Sequence, residues 1–175
     1  MKRITGRLSL ALTLLTLVGL TVPALADPAP ELGACQKLQV PAGNTVALHT
    51  YAVGVQIYRW NGAKWAFVAP EAVLFADAGH ESVVGIHFAG PTWETVNGST
   101  AVGVVLERCT PDPTAIPWLL LGGVSVGRAG ALDQVTYVQR LNTVGGNAPT
   151  NPGASSGEEA RVPYTADYVF YRAAA

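Results

Sequence analysis

From Cys35 onward no window of eleven or more residues holds apolar side chains at sustained helical spacing; short runs rich in Val, Ile, Tyr, Trp and Thr take its place. Gly, Pro and Asn separate these runs, and within them apolar and other residues alternate. A period of two turns successive side chains to opposite faces, so nearly all the ordered backbone is expected as pleated sheet. Strands are expected over 45–52, 55–68 (a hairpin), 72–76, 84–88, 92–96, 99–106, 116–121, 134–143 and 164–172. About eight or more antiparallel strands in one domain imply an all-β sandwich or closed barrel.

Two Asn-Gly dipeptides set the expected registers. Asn61-Gly62 lies between β-favouring arms and suits a two-residue type I′ turn, which places Tyr58 opposite Trp65 and Gln56 opposite Phe67. Gln56, Tyr58, Trp60, Trp65 and Phe67 then share one aromatic face. The same turn at Asn97-Gly98 puts Glu94 opposite Ala101, on a face with Val96 and Ser99, and turns Trp93 away. Upstream, Val84, Ile86 and Phe88 alternate with Gly85 and His87, so His87 is expected to point away from that strand's apolar side.

The N-terminus reads as an export signal: Lys2, Arg3 and Arg7 precede an apolar run from Leu8 to Leu20, and Ala24-Leu25-Ala26 offers a small-x-small cleavage site. Removing residues 1–26 from 175 leaves 149, one domain's worth, with 27–34 a flexible lead-in, 35–175 the domain and 147–159 a mobile loop. No integral membrane segment is expected after cleavage, and the destination is periplasmic or extracellular. The processed chain has 8 Lys plus Arg against 12 Asp plus Glu, a net charge of −4 that disfavours nucleic acid as a partner. Arg128, Arg140 and Arg161 are too scattered in sequence to mark a basic patch. The two cysteines, Cys35 and Cys109, are an even pair in an exported chain and are expected to form one structural disulfide.

Chemistry-bearing residues are few. Gly123-Val124-Ser125-Val126-Gly127 fits the nucleophile-elbow spacing, but no helix follows it, so a glycine-flanked strand or turn is expected. His87, Trp93, Glu94 and Ser99 gather around a Gly-Pro turn. There His87 and Glu94 could act as an acid-base pair, contact a ligand, or only hydrogen-bond within the fold. Tyr58, Trp60 and Trp65 are core or, near the turn, a platform for a sugar or apolar ligand. Asn97-Gly98-Ser99 also fits the glycosylation pattern, although its turn geometry already accounts for it. No close ligand spacing joins His49 or His80 into a metal site, and no strand, glycine-rich turn and helix unit offers a dinucleotide cofactor a place.

Several ordered blocks carry a resemblance. Gly54-Val55-Gln56-Ile57-Tyr58, Trp60-Asn61-Gly62, Ala69-Pro70-Glu71-Ala72, His87-Phe88-Ala89-Gly90-Pro91-Thr92-Trp93-Glu94 and Asn97-Gly98-Ser99 lie in the first half. Ile116-Pro117-Trp118-Leu119-Leu120-Leu121, Val135 to Gly146, and Val162-Pro163-Tyr164-Thr165-Ala166-Asp167-Tyr168 lie in the second. Together they resemble the DUF3455 family of exported proteins over nearly the whole processed chain. The resemblance implies export but transfers no catalytic residue. Relatives often have a cysteine after the Gly-Gly-x-Ala-Pro segment, where Asn151-Pro152-Gly153 stands here, so a second bridge is not open to this chain. The expected function is a non-catalytic binding or surface module for a small apolar molecule or a glycan, held by Tyr58, Trp60, Trp65, His87, Trp93, Glu94 and Ser99. The alternatives are a small secreted hydrolase or lyase using His87 and Glu94, and a structural envelope component.

Overall fold

In the computed structural model, which describes residues 28–174, eight antiparallel strands close into one barrel. They are β1 (Asn44–Trp60), β2 (Trp65–Phe75), β3 (Val83–Phe88), β4 (Thr92–Thr95), β5 (Ser99–Cys109), β6 (Trp118–Gly127), β7 (Val135–Gly145) and β8 (Glu159–Ala173). Each pairs with the next in sequence, and β8 returns to β1 from Asn44 opposite Ala173 to Arg59 opposite Glu159. The sheet therefore has no edge, and the architecture is an up-and-down barrel rather than a sandwich. The expected leader, residues 1–26, lies outside the described residues.

Two expected strand breaks are absent. The segment 45–52 runs on into the first hairpin arm as β1, and the second arm runs on into 72–76 as β2. Gly54, which reads as punctuation, lies inside β1 where β2 passes so close that a Cβ would strike the Glu71 carbonyl and the Ala72 backbone.

The hairpin registers also differ from expectation. Asn61 Oδ1 accepts hydrogen bonds from the backbone N–H groups of Ala63 (3.0 Å) and Lys64 (2.9 Å), making a four-residue loop that pairs Trp60 with Trp65 and Tyr58 with Phe67. A slip of two residues keeps Tyr58, Trp60, Trp65 and Phe67 on one face, while a bulge past Tyr58 pairs Gln56 with Pro70 and brings Val68 to the cavity. At the second hairpin Gly98, at φ +83°, donates to the Thr95 carbonyl (2.8 Å), and three residues, Val96 to Gly98, form the loop. Trp93 now opposes Ala101 and Glu94 opposes Thr100. That slip of one exchanges the faces: Ser99 turns inward with Trp93 and Thr95, and Glu94 turns outward.

The barrel interior holds the main core, with Leu74, Trp93, Leu121, Val138, Tyr168 and Phe170 each at most 1 % exposed. One end is plugged by Leu132 from the β6–β7 connection. Ser99 Oγ accepts from the Leu132 N–H (3.0 Å), while Ser125 Oγ donates to the Leu132 carbonyl and accepts from the Val135 N–H (2.7 Å). Gly123 to Gly127 is thus plain β6 strand, with no elbow. Outside the barrel, Leu32, Leu38 and Val40 of the N-terminal segment pack on Leu120, Leu141, Val169 and Tyr171, and a disulfide ties Cys35 to Cys109. Leu32, inside the expected flexible lead-in, is buried because this outer wall of β6 to β8 is apolar.

Candidate functional site

The opposite end of the barrel is open. The β1–β2, β3–β4, β5–β6 and β7–β8 connections surround a cavity of about 400 Å³ there, a volume within the range of small-molecule pockets. Trp93, Leu119, Leu121, Val105 and Tyr168 supply apolar and aromatic wall, and Phe67, Val68 and Pro91 lie at the mouth. The connections are stitched together. Tyr58 Oη donates to the Gly146 carbonyl (2.7 Å), Thr143 Oγ1 donates to the Ile116 carbonyl (2.6 Å), and the Ile116 N–H donates to the Gly145 carbonyl (2.9 Å). An entrance tied in this way is preformed rather than assembled around a ligand.

Polar groups reach this apolar chamber from several strands. His87 of β3 is 3 % exposed and its ring stacks on Trp93 with centroids 4.7 Å apart and planes 6° from parallel. The Thr92 carbonyl lies 2.8 Å from His87 Nδ1, and a carbonyl can only accept, so Nδ1 carries the proton and Nε2 keeps its lone pair. Burial, with the nearby Arg140 charge opposing the Thr92 contact, holds the imidazole pKa down at about 3. His87 is therefore neutral at physiological pH. Tyr168 of β8 lines the chamber, its hydroxyl lies 3.4 Å from that of the buried Tyr164, and burial raises both phenols above their ordinary range. Gln56 of β1 is 2 % exposed, and its Nε2 has no hydrogen-bond partner; the same holds for the buried Nε1 of Trp93.

Arg140 of β7 also lines the chamber, as does the exposed Arg108 of β5. Arg140 opposes Leu119 on β6 and Tyr168 on β8, both inward-facing, so it shares the inner face with Val138. Its Nε and Nη2 donate to the Pro117 carbonyl at 3.1 and 2.8 Å, which fixes the guanidinium beneath the mouth. Sequence reasoning missed it by judging arginines on their distance from one another. The available signal was parity, since Arg140 stands two residues from Val138 and so shares its face.

The seven residues expected to meet a ligand are divided by the barrel. Tyr58, His87 and Trp93 line the cavity. Trp60 and Trp65 pack edge to face (5.5 Å) outside it, and the 147–159 loop covers them: Trp65 Nε1 donates to the Asn151 carbonyl (2.9 Å), and Gly153 presses on the Trp60 ring. The loop, expected as mobile on composition, is also fastened by Trp60 N–H to the Glu158 carbonyl and Gly157 N–H to the Trp60 carbonyl, each 2.8 Å. Ser99 is spent on Leu132 at the plugged end. Glu94 pairs with Ile86 on the outer face while His87 pairs with Trp93 on the inner, so the expected acid-base couple stands on opposite sides of the sheet.

The other two histidines lie apart from the cavity. His49 Nε2 is 3.4 Å from Asp167 Oδ2 on the outer face, and His80 rests against Phe75 in the β2–β3 connection. Among the described residues no three of His, Cys, Asp and Glu converge as metal ligands. Nor is any described helix long and apolar enough to cross a membrane.

Comparison with curated proteins and with solved structures finds no match. A family model described as a protein of unknown function, DUF3455, matches residues 41–172, and the chain belongs to that family.

Proposed function

We propose that the protein is an exported, non-catalytic binding module that holds a small, largely apolar molecule in the open end of its barrel. The cavity of about 400 Å³, lined mainly by apolar and aromatic side chains and closed at its far end by Leu132, carries this reading. The disulfide and the leader-like N-terminus support the exported setting. A glycan is the weaker choice, because the tryptophans best suited to stack on a sugar are covered by the 147–159 loop. Acid-base chemistry through His87 and Glu94 lacks its geometry, since the two face opposite sides.

The test is titration with N-phenyl-1-naphthylamine, a neutral dye that brightens in apolar surroundings. Saturable binding is expected, together with its loss in Val105→Trp, which places an indole in the chamber from β5 while circular dichroism stays unchanged. No binding by the parent protein, or equal binding by a folded Val105→Trp, would overturn the reading.

A further inference from the structure

Resting on that reading, we propose that the barrel's ligand is an acid, an apolar body bearing a single carboxylate that Arg140 receives within the cavity. The first observation is charge. Arg140 inside the chamber and Arg108 at its border both line the cavity, and among the described residues no aspartate or glutamate does. Neither arginine is within ion-pair distance of a carboxylate among the described residues, whereas Arg59 and Arg161 on the outer face both reach Glu159. An inward cation without an anion keeps the cost of leaving water and lacks the attraction that would offset it. A chain with an excess of acidic over basic residues has thus placed two cations and no anion around this chamber.

The second observation is hydrogen-bonding polarity. Trp93 Nε1, on a side chain 1 % exposed that lines the chamber, has no acceptor, and Gln56 Nε2, on one 2 % exposed, has only the Tyr164 hydroxyl near it and no hydrogen bond of good geometry. Buried donors are nearly always satisfied, so these two indicate room for an acceptor-rich group. A carboxylate offers acceptors only, with lone pairs enough for a guanidinium and neighbouring N–H groups together. Pro117 takes Nε and Nη2 of Arg140, and the Tyr168 hydroxyl also lies against the guanidinium, so a ligand carboxylate would share Arg140 with both. One guanidinium within the chamber matches one negative charge, and the aromatic wall of Trp93, His87 and Tyr168 matches the apolar remainder. A cationic ligand would meet Arg140 head on. A neutral one would leave the charge uncompensated.

Displacement of the neutral dye by matched probes tests the proposal. Decanoate is compared with decanol and decylamine, and 2-naphthoate with 2-naphthalenemethanol. In at least one pair the carboxylate should displace the dye at about tenfold lower concentration than its alcohol, as a charge-assisted contact implies. Decylamine should be the weakest of its set. Arg140→Leu should bring acid and alcohol within about threefold of each other, each read against that variant's own dye affinity, and Arg140→Lys should keep part of the preference. The comparison of probes on the parent protein stands even if Arg140→Leu does not fold. Alcohols equal to acids in both pairs, or decylamine binding best, with the dye still bound, would overturn the carboxylate and leave the apolar pocket intact. Failure of the dye itself to bind would overturn both.

Discussion

His87 shows how one buried side chain links packing to pH. The stack on Trp93 and the edge contact with Tyr168, 4.9 Å between centroids, surround the ring with low-polarity matter, and the Thr92 carbonyl fixes its tautomer. The folded pKa of about 3 lies below the ordinary 6.5. Between those two values the unfolded chain binds a proton that the folded chain refuses, so stability from this group is full above pH 6.5 and is lost as pH falls toward 3. The full loss is at most about 5 kcal/mol. His87→Gln removes the titrating group, and its urea stability should fall with acid less steeply than the parent's, by up to about 1.4 kcal/mol per pH unit. Matching slopes from pH 6 to pH 4 would show that the ring is already protonated or that it titrates alike in both states.

At the scale of the strand, close approach of backbones decides what a residue can be. In Gly54→Ala the new methyl would meet the Glu71 carbonyl and Ala72 backbone, neither the free end of a flexible side chain, so β1 and β2 must part. Gly122 on β6 is a control, because a Cβ there would come no closer than 3.6 Å to the Leu106 side chain. Gly54→Ala should cost about 2 kcal/mol or more by urea denaturation. Gly122→Ala should stay within about 0.5 kcal/mol of the parent. Equal midpoints would contradict the close crossing. These contacts also mark how far the sequence could be read. Alternation within strands is local chemistry, and it placed Gln56, Tyr58 and Phe67 on one face correctly even though the turn was longer than expected. Asn97-Gly98 announced a hairpin but not its loop length, and one extra residue moved Ser99 away from Glu94. Parity puts Arg140 on the face of Val138, but its place beside Leu119 and Tyr168 came through pairing with β6 and β8, of which its distance from other arginines along the chain says nothing. Tyr58, His87 and Trp93 stood out by residue type and do line the cavity, but which side of β3 faces the interior was not legible: His87 is 3 % exposed, and Ile86, on the side read as apolar, is 47 % exposed.

For the whole molecule, the covalent link and the cavity occupy different walls, and this separates stability from binding. Cys35 and Cys109 are 74 residues apart in sequence, and cross-linking a loop of that size lowers the entropy of the unfolded chain by an equivalent of about 4 kcal/mol at most. The bridge holds the N-terminal segment against the outside of β6 to β8, where Gln139 Nε2 donates to the Leu38 carbonyl and Tyr171 Oη donates to Gln139 Oε1, each at 2.7 Å. Gln139 faces outward and Arg140 inward, so the two networks share β7 without sharing a face. A Cys35→Ser, Cys109→Ser double variant should lower the urea midpoint by the equivalent of about 2 to 4 kcal/mol. In the absence of urea it should still bind N-phenyl-1-naphthylamine with an affinity within about threefold of the parent, since a modest change at the outer wall leaves the inner face paired as before. Loss of dye binding by a double variant whose strand circular dichroism is intact would mean that the outer segment shapes the chamber, and the separation of the two walls would fail.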